Sequence, residues 1–185
     1  MEKPVFNNVE NKNIKVSYDD TKLDFWISRS IAVVGVVFAN TPDNKYVLAV
    51  QRSDKMDNPF KWCLPCGYLD WNESCRQAMV REVYEETGLY LEDPYIIEKT
   101  VRNNGGKPFR IQDDPNKDAK QNVSFSYVTV LNFSDENIPW EVEQFVTDEA
   151  FQIKWIPLAS ESISNLDWAF DHDSVIIETE NFLNR

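Results

Sequence analysis

Apolar and β-branched residues along the chain are concentrated in short runs that polar turns separate. Residues 31–39 form one continuous apolar run, which is typical of a strand buried on both faces. A turn follows, and residues 45–52 and 61–64 have the composition of two further strands. The first part of the chain is therefore predicted to begin a β-sheet.

A helix is predicted over residues 73–87. Asn72 is a favourable N-cap residue, and Gly88 suits the left-handed conformation that commonly ends a helix. One side of this helix carries three carboxylates, and the other side is predicted to pack against the core. The predicted packing side is formed by Met79, Val80, Val83 and Tyr84.

The pattern after this helix continues with strands and one closing helix. Residues 103–122 show no evident element, which is typical of a functional loop, and residues 134–147 are an acidic connection. The order of the elements predicts the α/β class. The remaining strands are predicted at residues 95–102, 123–133 and 151–156, and the closing helix at residues 171–183.

The N-terminal residues differ in composition from the rest of the chain. Residues 1–29 are polar and rich in asparagine, with two short β-prone pieces. We predict that they form an extension, as an added strand or hairpin, at the edge of one domain of residues 30–185. No internal repeat or interdomain linker divides that domain.

The three carboxylates of the predicted helix belong to Glu82, Glu85 and Glu86. Glu82 and Glu86 are like charges one turn apart, and such a pair costs about 0.2–0.5 kcal/mol. All three also lie near the negative end of the helix dipole, with only Arg81 close in sequence as an offset. A divalent cation such as Mg²⁺ is the natural missing partner. The alternative is a solvated, glutamate-rich helix face.

The longer stretch of residues 67–89 is far more specific than these three glutamates. It follows the pattern G-x5-E-x7-R-E-U-x-E-E-x-G-U, in which U is aliphatic. The chain therefore resembles the Nudix hydrolase family, whose signature this is, and weaker likeness extends over most of residues 30–183. One departure is Cys66, which stands where the family's L-P-G-G entry has a glycine. The matching residues are Gly67, Glu73, Arg81, Glu82, Val83, Glu85, Glu86, Gly88 and Leu89.

The resemblance implies a fold, a reaction and a cofactor. The fold is an α/β/α sandwich with a mixed β-sheet. The reaction is hydrolysis of a nucleoside diphosphate linked to another moiety, by attack of water on phosphorus. The cofactor is Mg²⁺ or Mn²⁺, and Glu73 and Arg81 are expected to brace the loop against the helix. The expected metal ligands in this stretch are the carbonyl of Gly67 and the carboxylates of Glu82, Glu85 and Glu86.

The resemblance also implies a further carboxylate from a distant loop. Glu149 is our choice, because it lies just before the strand at residues 151–156, where relatives often carry such a glutamate. Asp148 and Glu143 are its rivals, and an exposed loop acid is the alternative interpretation of Glu149. The candidate catalytic residues are therefore Glu82, Glu85 and Glu149, with Glu82 favoured over Glu149 as the general base.

The candidate substrate-binding residues are Arg52, Phe60 and Arg110. By resemblance, Arg52 reaches a substrate phosphate, although a plain surface arginine is the alternative. Phe60 is one of four aromatic residues that could stack on a base, and core packing is the alternative for each of them. The others are Trp62, Phe109 and Tyr127. Basic residues of the 103–122 loop could close over phosphates: Lys107, Arg110, Lys117 and Lys120.

Charge and composition narrow the classes of function. The net charge of −12 argues against a surface for duplex nucleic acid or anionic membranes. The beginning of the sequence lacks a signal pattern, and the longest apolar run is far short of the ~20 residues of a membrane span. These features, with three cysteines, predict a soluble cytoplasmic protein. Cys63 and Cys66 have C-x-x-C spacing, but free thiols are favoured over a zinc site.

Three classes of function follow from these observations. A metal-dependent pyrophosphohydrolase is favoured over a nucleotide-binding sensor without turnover, because sensors of this type tend to lose box glutamates. A purely structural domain leaves the clustered carboxylates without a purpose. The expected partner is a small-molecule nucleotide derivative: an ADP-ribose-like sugar, a nucleoside triphosphate, a dinucleoside polyphosphate or a capped RNA end. A homodimer is left open.

Overall fold

The structure, a computed structural model, describes residues 12–18, 21–134, 137–138 and 148–185. Its strands are β1 (Lys12–Tyr18), β2 (Thr21–Ile27), β3 (Ile31–Asn40), β4 (Lys45–Arg52), β5 (Trp62–Cys63), β6 (Cys66–Tyr68), β7 (Thr100–Arg102), β8 (Arg110–Gln112), β9 (Val123–Asn132) and β10 (Ala150–Pro157). Its α-helices are α1 (Cys75–Thr87), α2 (Pro94–Lys99), α3 (Ser160–Ser164) and α4 (His172–Leu183).

A mixed sheet forms the centre of the fold. Its strands lie in the order β10-β4-β3-β9-β7, and β3 and β9 are parallel neighbours. The other pairs along this path are antiparallel. The short strands β5, β6 and β8 extend β4, β3 and β9, respectively. Because β6 leads directly into the loop before α1, the sheet fixes the start of the motif that the sequence analysis singled out.

Helices cover the sheet on both faces, and each face has its own apolar core. Residues of α1 pack with one side of β3, and residues of α4 pack with the other side. At the centre of the α1 contact, a Cβ atom added to Gly35 would lie 2.5 Å from Cγ2 of Val83. The helix therefore approaches β3 so closely that a larger residue at position 35 would require α1 to shift. This arrangement confirms the predicted α/β sandwich with a mixed sheet.

The predicted start of the first helix is wrong by two residues. The helix begins at Cys75, and its cap is Ser74 rather than Asn72. Ser74 and Gln77 form a capping box, in which the amide of each residue donates to the side chain of the other, over 2.9 and 3.3 Å. Asn72 instead adopts a left-handed conformation with φ 65° in the preceding loop. The predicted end is correct, since α1 ends at Thr87 and Gly88 has φ 72°.

Residues 95–102 are mostly helical, so the strand predicted there is wrong. The side chain of Asp93 accepts a hydrogen bond from the amide of Tyr95 over 2.9 Å, and Pro94 occupies the first helical position. Only Thr100–Arg102 forms a strand. The 103–122 segment holds a short 3₁₀ turn and the strand β8, so it contains structure that its polar sequence did not predict.

Three of the four predicted packing residues of α1 are buried. Met79, Val80 and Val83 lie in the core. Tyr84 is exposed, and its ring contacts Tyr90 edge to face with centroids 5.8 Å apart. The apolar face of α1 is therefore narrower than predicted, because the helix packs along Met79 and Val83 onto β3.

The strands β1 and β2 form an antiparallel hairpin that makes a sheet of its own. Ile14 lies opposite Phe25 and Val16 lies opposite Leu23, and all four side chains are exposed. The division of the chain after residue 29 stays a prediction. Most of the acidic connection predicted at residues 134–147 lies outside the described residues. Within the described part of the chain, every helix is too short or too polar to cross a membrane.

Candidate functional site

Arg81 of α1 joins the loop before the helix to the acidic side of the helix. Its Nη2 donates to Glu73 over 2.6 Å and to the carbonyl oxygen of Tyr68 over 3.0 Å. Its Nη1 donates to Glu82 over 2.7 Å and to Glu85 over 3.0 Å. These carboxylates raise the pKa of Arg81 well above its ordinary value, and Arg81 lowers the pKa of Glu73. One guanidinium therefore links the loop before α1 to two of the three carboxylates of the helix.

Glu82 lies directly against Gly67. A Cβ atom added to Gly67 would collide with the carboxyl group of Glu82, so only a glycine allows this approach. Glu82 is 9% exposed, and burial raises its pKa despite the opposing effect of Arg81. The motif thus places a partly desolvated carboxylate beside the backbone of the β6 loop.

Glu86 is the most deeply buried carboxylate of the motif, with 6% exposure. Its Oε2 accepts a hydrogen bond from the amide of Cys66 over 3.1 Å. Burial raises the pKa of Glu86 well above its ordinary value, and the charges of Cys63, Glu82 and Glu149 act in the same direction. Among the described residues, no basic side chain forms an ion pair with Glu86. Its negative charge is therefore poorly compensated within the protein.

Glu149 lies near these two buried carboxylates, although it is exposed and distant in sequence. Its charge raises the pKa of both Glu82 and Glu86. The amide of Ser53 donates to the carbonyl oxygen of Glu149 over 2.8 Å, which holds this part of the chain beside the end of β4. Its rival Asp148 instead pairs with Lys55 over 2.8 Å. The other rival, Glu143, lies outside the described residues.

The five predicted ligands supply oxygen atoms only, a donor set that suits Mg²⁺ or Mn²⁺. Within the described part of the chain, no three acidic, thiol or imidazole groups converge closely enough to enclose an ion. Arg81 explains part of this lack of convergence, because its guanidinium is hydrogen-bonded to the carboxylates of Glu82 and Glu85. A cation at these oxygens would compete with Arg81.

The predicted phosphate-binding residue Arg52 is buried, with 6% exposure. Its Nε donates to the carbonyl oxygen of Asp57 over 2.6 Å, and its Nη2 pairs with the Asp57 carboxylate. The guanidinium also lies over the ring of Phe170, 4.9 Å from the centroid, and Lys120 pairs with Asp57 from the other side over 3.0 Å. Arg52 therefore shapes the 53–60 loop, and its contact with a substrate stays a prediction.

The other two predicted substrate-binding residues are more accessible. Phe60 is 52% exposed, and its ring meets Phe151 edge to face with centroids 5.7 Å apart. Arg110 pairs with Glu178 of α4 over 2.6 Å. The alternative of core packing applies to Trp62, Phe109 and Tyr127: Trp62 and Tyr127 are buried, and Phe109 packs against Phe182.

Sequence reasoning missed the turn between β5 and β6 as a support of the site. Its backbone is held on two sides, because Leu64 donates to Nδ1 of His172 over 2.9 Å and Gly35 donates to the carbonyl oxygen of Pro65 over 2.9 Å. Burial, with smaller effects of Arg110 and Arg52, lowers the pKa of His172 to about 3, so this acceptor nitrogen stays free of a proton. In the sequence, the only feature that could have indicated this support was the single histidine of the chain.

The fold and the site define an α/β protein with two buried carboxylates, Glu82 and Glu86, beside a glycine-containing loop. The chain belongs to the Nudix family, since the model of the NUDIX domain matches residues 29–178.

Three similar proteins illustrate this relationship. An ADP-ribose pyrophosphatase of Methanocaldococcus jannaschii is 36% identical over 87 residues, which are 46% of this chain and 47% of that protein. A bifunctional NMN adenylyltransferase/ADP ribose pyrophosphatase of Francisella tularensis, solved with AMP and a manganese ion, has a TM-score of 0.60 and 26% identity over 83% of this chain and 42% of that one. NrtR of Shewanella oneidensis, solved with DNA, has a TM-score of 0.54 and 26% identity over 83% of this chain and 61% of that one. The match to the curated relative thus spans about half of its length.

Proposed function

We propose that the chain is a metal-dependent pyrophosphohydrolase. It cleaves a nucleoside diphosphate linked to another moiety by attack of water on phosphorus, releasing a nucleoside monophosphate and a phosphorylated second product. The observation that carries this proposal is the cluster of two buried carboxylates on one side of α1, Glu82 and Glu86, with Glu82 directly against Gly67. Such a cluster costs stability unless a cation joins it.

The proposed cofactor is Mg²⁺ or Mn²⁺. Glu82, Glu85, Glu86, Glu149 and the carbonyl of Gly67 would hold it. A bound ion supplies positive charge to the diphosphate, which otherwise repels a nucleophile. The fit is supported by the buried and poorly compensated charge of Glu86, because an isolated buried carboxylate is stable only when paired or bound to a metal.

The chain's own residues have separate roles in this proposal. Glu82 is favoured over Glu149 as the general base, because burial raises its pKa towards neutrality. Glu85 is the third candidate catalytic residue, and its exposed carboxylate can leave Arg81 more easily than the buried Glu82 can. Glu73 and Arg81 position the loop and the helix relative to each other.

An ADP-ribose-like compound is the first substrate to test. This choice is supported by the similar proteins, two of which are ADP-ribose pyrophosphatases by name. Phe60 is the proposed stacking residue for a base, and the exposure of half of its ring near the end of β4 supports this role. Arg110 is the proposed phosphate contact from the 103–122 segment. The net charge of −12 disfavours duplex nucleic acid as a partner, and three cysteines suit the cytoplasm.

A nucleotide-binding regulator without turnover is the second candidate. The likeness to NrtR, a DNA-bound structure, favours it. The complete set of Glu82, Glu85 and Glu86 favours the hydrolase, because a sensor has no need of a costly carboxylate cluster.

The two candidates differ in turnover. The test incubates the chain with ADP-ribose, a nucleoside triphosphate, a dinucleoside polyphosphate and a capped RNA, each with Mg²⁺, Mn²⁺ or chelator, and identifies the products by mass. We expect AMP and ribose 5-phosphate from ADP-ribose, no products with chelator, and a loss of about 10²–10⁴-fold in Glu82→Gln. Binding of a nucleotide without turnover of any of them would favour the regulator.

A further inference from the structure

The hairpin of β1 and β2 is amphipathic. The register of its strands places Ile14 opposite Phe25 and Val16 opposite Leu23. Residues two positions apart along a strand point to the same side, so Ile27 shares this face. All five side chains are between 42% and 51% exposed, so the apolar face of the hairpin lies in solvent. The intervening positions, polar except for the last, are Asn13, Lys15, Ser17, Lys22, Asp24 and Trp26.

The connector between the hairpin and the main sheet is short and anchored at its middle. It consists of residues 28–30, which span at most about 11 Å. Nη2 of Arg29 donates to the carbonyl oxygens of Asp113 and Asn122 over 2.8 and 3.2 Å. Nε of the same side chain donates to the carbonyl oxygen of Gln121. The base of the hairpin is therefore held in place, which leaves little freedom to turn the apolar face onto its own domain.

A two-stranded hairpin in water is marginally stable by itself. The strands β1 and β2 form a separate sheet, so the main sheet adds no third strand to them. A contiguous exposed apolar face on such an element is typical of an interface. We therefore expect the apolar face of the hairpin to be covered by a partner outside its own domain.

The distribution of charge favours a second copy of the chain as this partner. Residues 1–29 contain five basic and five acidic residues, so the net charge of −12 lies entirely on residues 30–185. Two acidic domains repel each other, and the electrically neutral N-terminal part is where two copies can approach. The apolar face is also complementary to itself, because the one charged position of the two strands on that face, Lys12, lies at its end, opposite Ile27. A two-fold axis can therefore place the face against its counterpart.

We propose that the exposed face of the β1–β2 hairpin is a homodimer interface, in which the hairpins of two copies pack face to face. Sheets packed in this way lie about 10 Å apart, which lets the apolar side chains of both copies interdigitate. Each strand has seven residues, so the face is about 23 Å long and about 10 Å wide. This is small beside the ~800 Å² per partner of a standard interface, so we expect a dissociation constant in the micromolar range. The dimer does not depend on the proposed metal site.

Sedimentation equilibrium of the full chain tests the interface directly. The unmodified chain is measured from about 1 to 200 µM in the presence of chelator, so that metal binding plays no part. We expect a reversible equilibrium between monomer and dimer, because the predicted dissociation constant lies within this range. A chain that stays monomeric at the highest concentration would overturn the inference.

Val16→Lys and Ser17→Lys are a matched pair of variants. Both add the same charge at neighbouring positions of β1, but only Val16 belongs to the apolar face. An unpaired charge buried in each copy should weaken the dimer by at least about 100-fold. Ser17→Lys should dimerise within about threefold of the unmodified chain. Equal weakening by both variants would contradict the assignment to this face.

Val16→Thr separates loss of the interface from loss of the hairpin. Threonine keeps the β-branched shape and the strand propensity of valine, and it adds a hydroxyl that a covered face leaves unpaired. The dimer should therefore weaken by about 10-fold or more. A dimer that both Val16 variants leave as tight as before would place the interface elsewhere on the chain and overturn the inference. A monomer that floats with vesicles of phosphatidylcholine and phosphatidylserine would also overturn it, because the face would then be a membrane contact.

Discussion

Gly67 and Gly35 both lie against α1. Alanine at position 67 should weaken metal binding with little effect on stability, whereas alanine at position 35 should mainly lower stability. In Gly67→Ala, the new methyl group collides with the carboxyl group of Glu82. This group is the mobile end of a flexible side chain, so it can rotate away, and the hydrogen bond from Arg81 that it loses is offset by the relief of its burial. The movement takes the carboxylate from its place beside the loop. We expect Mn²⁺ affinity to fall about 100-fold or more, with little change in thermal stability.

Gly35→Ala is the matched control, because it places a methyl group 2.5 Å from Cγ2 of Val83 on the core side of α1. The β-branched Val83 cannot rotate freely within a helix, so α1 itself must shift. Overpacking of this kind costs about 1–3 kcal/mol. For a domain of this size, that corresponds to a melting temperature lower by roughly 2–12 °C.

Calorimetry measures both quantities on both variants, as Mn²⁺ titration and as thermal unfolding. The account predicts that Gly67→Ala loses most of its Mn²⁺ affinity and keeps its stability, and that folded Gly35→Ala loses stability and loses less Mn²⁺ affinity than Gly67→Ala does, because its carboxylates move together with α1. Mn²⁺ binding by Gly67→Ala as tight as that of the unmodified chain would refute the position assigned to Glu82.

Three other predictions concern the surroundings of the site. Glu73→Gln should lower the free energy of unfolding by about 1.5–3 kcal/mol above pH 5, as measured by urea titration. This difference should vanish as pH falls through the lowered pKa of Glu73, because protonation then removes the ion pair with Arg81 from the unmodified chain as well. Glu149→Gln should lower kcat at least tenfold in the ADP-ribose assay, whereas Asp148→Asn, which breaks only an exposed ion pair, should leave kcat unchanged. Lys120→Ala should change stability by less than about 1 kcal/mol, because its ion pair is exposed, and a raised KM for ADP-ribose would identify its segment as a phosphate contact.

The parts of the fold that follow from periodicity and glycine were predictable from the sequence. The buried strands β3 and β9 and the end of α1 at Gly88 are examples. The start of α1 was not, because Asn72 and Ser74 are both good caps and only the capping box with Gln77 decides between them. The strand predicted at residues 95–102 failed because Asp93 and Pro94 together start a helix.

The residues of the candidate site also fall into those that could be predicted from the sequence and those that could not. The carboxylates of α1 and their partner Arg81 follow from spacing along one helix, which a sequence shows directly. The pairing of Arg52 with Asp57 depends on the conformation of the 53–60 loop, and the support of the β5–β6 turn by His172 joins residues 108 positions apart. No periodicity or capping pattern in the sequence predicts these contacts, so the turn was overlooked, and the phosphate contact of Arg52 stays a prediction.

The central claim is that the protein keeps buried carboxylates at a cost to stability because they hold a cation, and Glu86→Gln tests it most directly. Glutamine keeps the hydrogen bond from Cys66 and removes the charge. Because burial raises the pKa of Glu86, its ionisation costs stability once pH rises above the ordinary value of about 4.3. Without metal at pH 7.5, the variant should therefore be more stable by about 1–3 kcal/mol, and this difference should close below pH 4.

The decisive measurement is thermal unfolding of both proteins with and without Mn²⁺. At 100 times its dissociation constant, the ion should stabilise the unmodified chain by about 2.7 kcal/mol, or roughly 5–11 °C. Glu86→Gln should gain little, so Mn²⁺ should remove the advantage of the variant, and should reverse the order of the two melting temperatures where that advantage is smaller than about 2.7 kcal/mol. An equal response of both proteins to Mn²⁺, or a variant less stable than the unmodified chain in chelator, would contradict the account.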